Sequence, residues 1–272
     1  MGAQDLPNMN RESLYGGHHG LRIATFHETP NASFDRFQRI VVALSKRWEM
    51  SAPDEIDQSF DGRQEADRLM LTFDDGFESN YAAGRWLAEQ GIRAIFFIVP
   101  EFVGRSVNEM QIALRERGVV AKPIHDDGNR RGMSRTQLNE LMNMGHLIAA
   151  HNMCHRDFGN LHSELDLDVA IDEVLDTISD WTGERCMDFA FAWGRDRNMT
   201  LMAANRLIKH GVRVYSSIRG LNVAGLTGPV IWRNAVQVSE PLPFILAGIQ
   251  GGMDHRVADV RHRLNSMFLR RG

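Results

Sequence analysis

The chain is short of several things, and each shortage narrows what it can be. Its 272 residues include only two cysteines, Cys154 and Cys186, so no disulfide framework organises it, and a single bridge is the most it allows. No apolar run approaches the roughly 20 residues that cross a bilayer, which excludes a transmembrane helix. Neither charge dominates. Lys and Arg number 31 against 35 Asp and Glu, a formal net charge of -4, so there is no electrostatic case for a nucleic-acid partner or an anionic membrane. No fixed-period repeat and no low-complexity tract is present. Met1 to Gly20 lacks the basic start and apolar stretch of an export signal. Met1-Gly2 opens like a myristoylation signal, but Leu6 stands where Ser or Thr is required. The expectation is a cytoplasmic protein with a flexible leader over 1–20 and a single domain over 21–272.

What is present is ordinary for a soluble globular protein, with 43% apolar and 24% charged residues. Short apolar runs at 21–26, 69–73, 92–99, 146–150, 187–192, 212–216 and 230–238 read as strands. Between and after them, 33–48, 77–90, 134–144, 165–181, 198–210 and 254–269 read as helices, with Ser33 and Ser134 as N-caps. The run IRAIFFIV at 92–99 is apolar nearly throughout, as a strand buried on both faces should be. The stretch from Glu101 to Gly132 is a long connection with one short helix. Strands alternating with helices predict parallel pairing through right-handed crossovers. The fold class is therefore α/β, a distorted (β/α) barrel of seven strands.

In such barrels catalytic groups collect where strands end and loops begin. His27, Asp74, Asp75 and His151 stand at those places. His151 and His155, four apart, sit on one side of a helical turn or tight loop within reach of one cation, although HxxxH alone recurs by chance. Asp74-Asp75-Gly76 closes an apolar strand with two carboxylates, which is costly without a cation or hydrogen bonds to compensate them. Asp-Gly is also a plain turn former. Two His and one Asp leave coordination positions open for water and substrate, the mark of a catalytic rather than a structural site. A neighbouring carboxylate held off the metal then serves as general base.

Thr72-Phe73-Asp74-Asp75-Gly76 resembles the first motif of the NodB-like polysaccharide deacetylases, the family 4 carbohydrate esterases. Gly145 to His155 (GHLIAAHNMCH) resembles their second motif. The resemblance runs from about Leu21 to Val238 and implies a zinc-dependent hydrolase, with cobalt, nickel, manganese or iron as other ions that fit. Carried over position by position, it implies that Asp75, His151 and His155 bind the metal and that Asp74 is the base. His146 matches a family position but lies early in its strand and reads as structural. Phe189-Ala190-Phe191-Ala192-Trp193-Gly194 looks like a divergent third motif. Ala190 replaces its Arg and Trp193 its aromatic, whose backbone N–H helps hold an oxyanion. The missing Arg leaves the tether of Asp74 unassigned, with Arg233 a candidate.

The late Leu-x-His motif that carries the general acid is absent. His27, ending the first strand, fills that slot if the chain is circularly permuted, since first and last strands of a closed barrel are neighbours. His255 is the other candidate. The implied activity is removal of an N-acetyl or N-formyl group from an amino sugar or sugar conjugate in surface polysaccharide biosynthesis. A cytoplasmic location favours a small-molecule, lipid-linked or nucleotide-linked substrate. A non-catalytic carbohydrate-binding protein on the same fold and a hydrolase of non-sugar amides are the competing readings. A haloacid-dehalogenase-type phosphatase is disfavoured, because Asp74-Asp75-Gly76-Phe77 lacks the Asp-x-Asp spacing.

Overall fold

A computed structural model describes residues 5–60, 64–118 and 130–269. Its strands are β1 (Leu21–Phe26), β2 (Glu49–Met50), β3 (Arg68–Phe73), β4 (Ala94–Ile98), β5 (Leu147–Ala150), β6 (Asp188–Ala190), β7 (Arg213–Tyr215), β8 (Val230–Ile231) and β9 (Asn234–Ala235). They pair in parallel in the order β8-β7-β6-β5-β4-β3-β1-β9, with β2 joined to the side of β3. The sheet curls into a distorted (β/α) barrel with helices outside it.

Eight strands lie along this path where seven were expected. The extended segment 230–238 breaks at Trp232–Arg233, so that β8 pairs with β7 while β9 pairs with β1. The two edges of the curled sheet are thus carried by neighbouring residues. Asn222 stitches the gap: its Nδ2 donates to the carbonyls of Leu21 (3.0 Å) and Trp232 (2.9 Å), and its Oδ1 accepts from the Trp232 N–H (2.8 Å).

Side chains alternate across each strand, and both faces are covered. Leu21, Ile23, Met70, Ile95, Phe97, Ala149, Ala190, Tyr215 and Ile231 fill the barrel. Ala24, Phe26, Leu71, Phe73, Phe96 and Ile98 face the surrounding helices, where Phe73 stacks on Phe96 with ring centroids 4.7 Å apart. This parity carries function. Asp74 extends the inward series Met70, Thr72; His151 extends Leu147, Ala149; Arg233 follows Ile231.

The floor of the barrel, at the N-terminal ends of β6 and β7, is polar. Asp188 accepts from Nε and Nη2 of Arg213 (both 2.7 Å) and from the Tyr215 hydroxyl (2.6 Å). Burial, reinforced by the facing Asp188 carboxylate, holds the Tyr215 phenol well above its usual pKa, so it remains a donor. Asp188→Ala strands the Tyr215 hydroxyl and leaves Arg213 only its bonds to the exposed Asp57, and should lower the unfolding free energy by about 1–3 kcal/mol. Urea denaturation checks this, and an unchanged midpoint would show that the network adds no stability.

Several local features differ from or add to the expectations. Within the expected leader, Asp5–Tyr15 is a helix, and its buried Tyr15 donates to Asp254 at 2.8 Å, while residues 1–4 lie outside the described residues. Ser33 precedes its helix, Phe34–Ser45, without a side-chain cap, because its hydroxyl turns back to the Pro30 carbonyl. Ser134 does cap the helix Arg135–Asn143, accepting from the Gln137 N–H. The connection from Glu101 to Gly132 contains the helix Val107–Glu116, and its residues 119–129 lie outside the described residues. A helix at Leu242–Ile249 was missed. Cys154 and Cys186 are both free and buried. Among the described residues no helix is long and apolar enough to cross a membrane.

Candidate functional site

Asp75, His151 and His155 meet at the C-terminal mouth of the barrel. Their ligand atoms lie within 4.8 Å of one another. Nε2 of His151 is 3.3 Å, and Nε2 of His155 3.2 Å, from the same Asp75 oxygen, Oδ1. His151 is fully buried at the end of β5, and its Nδ1 donates to the Ala190 carbonyl at 2.9 Å. That bond sets the tautomer and leaves the Nε2 lone pair aimed at Asp75.

The loop after β5 is a tight turn rather than a helix. Asn152 folds it, with Oδ1 accepting from the Cys154 N–H (3.1 Å) and Nδ2 donating to the Arg156 carbonyl (3.0 Å), which swings His155 back beside His151. Among the described residues the non-glycine positions with positive φ are Asp75 (72°), Asn152 (67°), His155 (56°) and Trp193 (66°). Each costs about 1–2 kcal/mol relative to ordinary backbone. All four border this one site, and strain concentrated there is maintained by the surrounding structure for the site's sake.

Asp74 is buried beside this triad and clamped by Arg233. Nη1 donates to Oδ1 at 2.6 Å and Nη2 to Oδ2 at 2.9 Å, a two-pronged charged pair. Arg233 is completely buried. Its Nε donates to the Ser216 carbonyl (2.8 Å), and its guanidinium lies 5.0 Å from the Phe97 ring centre. Burial on its own would raise the Asp74 pKa, but Arg233, aided by His151 and His27, outweighs it and holds the carboxyl below its ordinary value. Asp75 behaves likewise: burial pushes up, the two imidazoles pull down harder, and the carboxyl stays ionised. For His151 burial lowers the pKa while Asp74 and Asp75 raise it, with the carboxylates prevailing. The site is built to hold positive charge.

A divalent cation fits these residues. Asp75 Oδ1 is buried and has no hydrogen-bond partner, although two imidazole nitrogens face it. Ligands bound about 2.0–2.1 Å from a zinc-sized ion in tetrahedral array stand roughly 3.3 Å apart, which is the separation of Asp75 Oδ1 from each imidazole nitrogen. An orphaned carboxylate oxygen shared by two ring nitrogens is the donor set such an ion completes.

Three further groups frame the mouth. His27 lies just past β1 with Nε2 4.0 Å from Asp74 Oδ2 and a side chain 45% exposed, so it borders Asp74 yet reaches solvent. Asn80 fixes it from behind, donating to the His27 carbonyl at 3.0 Å. Trp193 follows β6; its indole is 5.2 Å, centre to centre, from the His155 ring, and its backbone N–H has no acceptor among the described residues. His255 belongs elsewhere. It is exposed, 3.4 Å from Asn10, and its neighbour Asp254 pairs with Arg22 at the start of β1, the end of the barrel away from the site. His146 is structural: Nδ1 accepts from the Ala94 N–H (3.1 Å), Nε2 donates to the Gly84 carbonyl (2.9 Å), and burial keeps it neutral.

Arg233 was only a candidate on sequence grounds, and Asn80, Asn152 and Ser217 went unremarked. Asn152 carried a signal, since Asn tolerates a left-handed backbone and directly follows His151. Asn80 and Ser217 carried none.

A polysaccharide deacetylase family model matches residues 61–214. That span includes Asp74, Asp75, His151 and His155 but neither His27 nor Arg233. Among solved structures, IcaB from Ammonifex degensii is 17% identical, covers 85% of this chain and 97% of its own, and superposes with a TM-score of 0.63. The deacetylase PplD from Streptococcus pyogenes, solved in complex with acetate, is 13% identical over 85% of this chain and 98% of that one, with a TM-score of 0.61. The de-N-acetylase from Aggregatibacter actinomycetemcomitans is 13% identical over 85% and 99%, with a TM-score of 0.59. These three share the fold. No curated protein sequence matches the chain.

Proposed function

The chain belongs to the polysaccharide deacetylase family, hydrolases of carbohydrate substrates, and on that premise we propose that it is a metal-dependent de-N-acylase, removing an N-acetyl or N-formyl group from an amino sugar. The observation that carries the reading is the pairing of two unlike carboxylates. Asp75 offers a bare oxygen to two imidazoles, while the adjacent Asp74 is clamped away from them by Arg233. One aspartate is left for the ion and one for a proton, a division of labour that a non-catalytic binding protein has no use for.

Asp75, His151 and His155 hold the ion, with zinc the best match to two imidazoles and a carboxylate. When bound, it polarises the amide carbonyl and lowers the pKa of water toward neutrality. Asp74, kept ionised by Arg233, takes a proton from the attacking water. The Trp193 N–H donates to the oxyanion forming on the acyl carbon. His27 protonates the departing nitrogen from the solvent side. The products are a free amino sugar and a short carboxylate. Substrates presented in the cytoplasm, as lipid-linked, nucleotide-linked or small sugars on the way to a surface polysaccharide, complete the proposal.

Release of acetate and free amine from N-acetylglucosamine oligomers, abolished by a chelator and restored by zinc, is the direct test. Turnover unaffected by exhaustive chelation, or no release from any sugar amide, sinks the reading. The acid role of His27 has its own signature. His27→Gln should slow amide hydrolysis by about 10²–10³-fold, yet slow hydrolysis of an aryl acetate much less, because a phenolate leaves without a proton. Equal losses on both substrates would remove His27 from that role.

A further inference from the structure

Trp193 and Gly194 are consecutive left-handed residues, at φ 66° and 55°. Gly194 is there from necessity, because a Cβ at that position would lie 2.6 Å from the Ser217 nitrogen. Trp193 is the opposite case. A glycine would adopt its backbone without strain, yet the chain places its bulkiest residue type there. Ser217 locks the turn from both sides, its Oγ donating to the Trp193 carbonyl (2.7 Å) and its N–H to the Gly194 carbonyl (2.8 Å), so the direction of the indole is fixed.

The indole is also where a buried-core explanation fails. Trp193 is 43% exposed, beside a candidate metal ligand, at the mouth of the barrel. Support of His155 does not account for it, because the buried Phe102 ring already stacks on that imidazole, at 6.1 Å and an interplanar angle of 28°. A rigid aromatic face left open to solvent next to a reaction centre has a use only if something flat and partly apolar lies on it.

We infer that the Trp193 indole is the platform on which a pyranose ring of the substrate stacks, setting which sugar is presented to the Asp74–Asp75 centre. A pyranose with equatorial hydroxyls has one face made of axial C–H bonds, and that face suits the indole. The backbone and side chain of this residue then act on different parts of the substrate, the N–H on the acyl oxygen and the ring on the sugar. This rests on the de-N-acylase reading for its substrate, but stacking is measurable without turnover.

The zinc-loaded full chain is compared with Trp193→Gly and Trp193→Asn, two residues that accept left-handed backbone, and with Trp193→Phe, which keeps an aromatic face. Three quantities are read: zinc content, melting temperature, and calorimetric affinity for the glucosamine tetramer, a deacetylated oligomer that cannot turn over. Expected for Gly and Asn are parental zinc content, a melting temperature equal to or above the parent's, and affinity weakened by about tenfold or more, while Phe stays within about threefold. The KM for the N-acetylated tetramer should rise in parallel. Affinity within twofold of the parent in both Gly and Asn variants overturns the inference, as does zinc loss in both, which would make the ring a mere support for His155. A parent that does not bind the tetramer also overturns it. A parent that binds the tetramer, loses that affinity in the Gly variant, and releases no acetate refutes the hydrolase reading while the platform stands.

Discussion

Asp75→Ala and His151→Ala are each expected to remove metal and turnover together, lowering kcat/KM by about three orders of magnitude or more. The size follows from the geometry. Asp75 Oδ1 faces both imidazole nitrogens at 3.2–3.3 Å, so deleting it removes the carboxylate oxygen that both rings face. Deleting His151 leaves Asp75 with one ring and takes away the ligand whose orientation is fixed by the Ala190 carbonyl. Neither variant gains an obvious replacement, because Asp74 is held by Arg233 through both of its oxygens. His146→Gln is the contrasting control. That ring is bonded to Ala94 and Gly84 through its two nitrogens, so its loss should reduce stability and spare metal content. Elemental analysis of dialysed protein, alongside acetate release, checks all three. Parental metal content in both the Asp75 and the His151 variants would refute the ligand assignment.

The second large effect falls on Arg233. Arg233→Met removes a fully buried guanidinium and leaves the Asp74 carboxylate buried without its partner, which should cost about 3–5 kcal/mol of stability and about 10²–10⁴-fold in turnover. Arg233→Lys should fall between, since a single ammonium cannot grip both carboxylate oxygens and the Ser216 carbonyl at once. Combining Arg233→Met with Asp74→Asn separates the two effects. Removing both charges should recover much of the stability, because no lone ion remains buried, while activity stays lost for want of a base. Denaturant midpoints and acetate release decide it. Arg233→Met with parental stability and turnover would mean that the clamp holds nothing the enzyme needs.

The parts of the site that were legible beforehand are those encoded locally. Asp74-Asp75-Gly76 ends an apolar strand, and an Asp-Gly turn there puts successive carboxylates in different environments. One continues the inward series of β3, and the other is lifted away by a left-handed residue, Asp75 at φ 72°. HxxxH after β5 needed only a tight turn to bring both rings to one point. The segment 230–238 reads as one strand because apolar residues flank Arg233-Asn234 on both sides, but turning Arg233 inward to Asp74 splits its pairing between β7 and β1. The N-terminal helix escaped notice because Asp5–Tyr15 is mostly polar, and its stability comes from Tyr15 and Asn10 bonding to the 251–254 region rather than from its own periodicity.

Residue types and short spacings were enough to read parallel strands around a core and to single out Asp74, Asp75, His151 and His155. Of these, Asp75, His151 and His155 meet in a cluster that could hold a cation, with Asp74 beside it. Partnership over distance was beyond their reach. Arg233 and Asp74 are 159 positions apart, and nothing in the neighbourhood of either names the other. Only closure of the sheet, with β9 laid against β1 and the strand parity turned inward, brings that guanidinium to that carboxylate. His27 needs no such closure: it follows β1, which pairs directly with β3, and so it stands beside Asp74. Spacing speaks for contacts within a turn or a strand, whereas a barrel sets its distant neighbours by the order in which its strands pair.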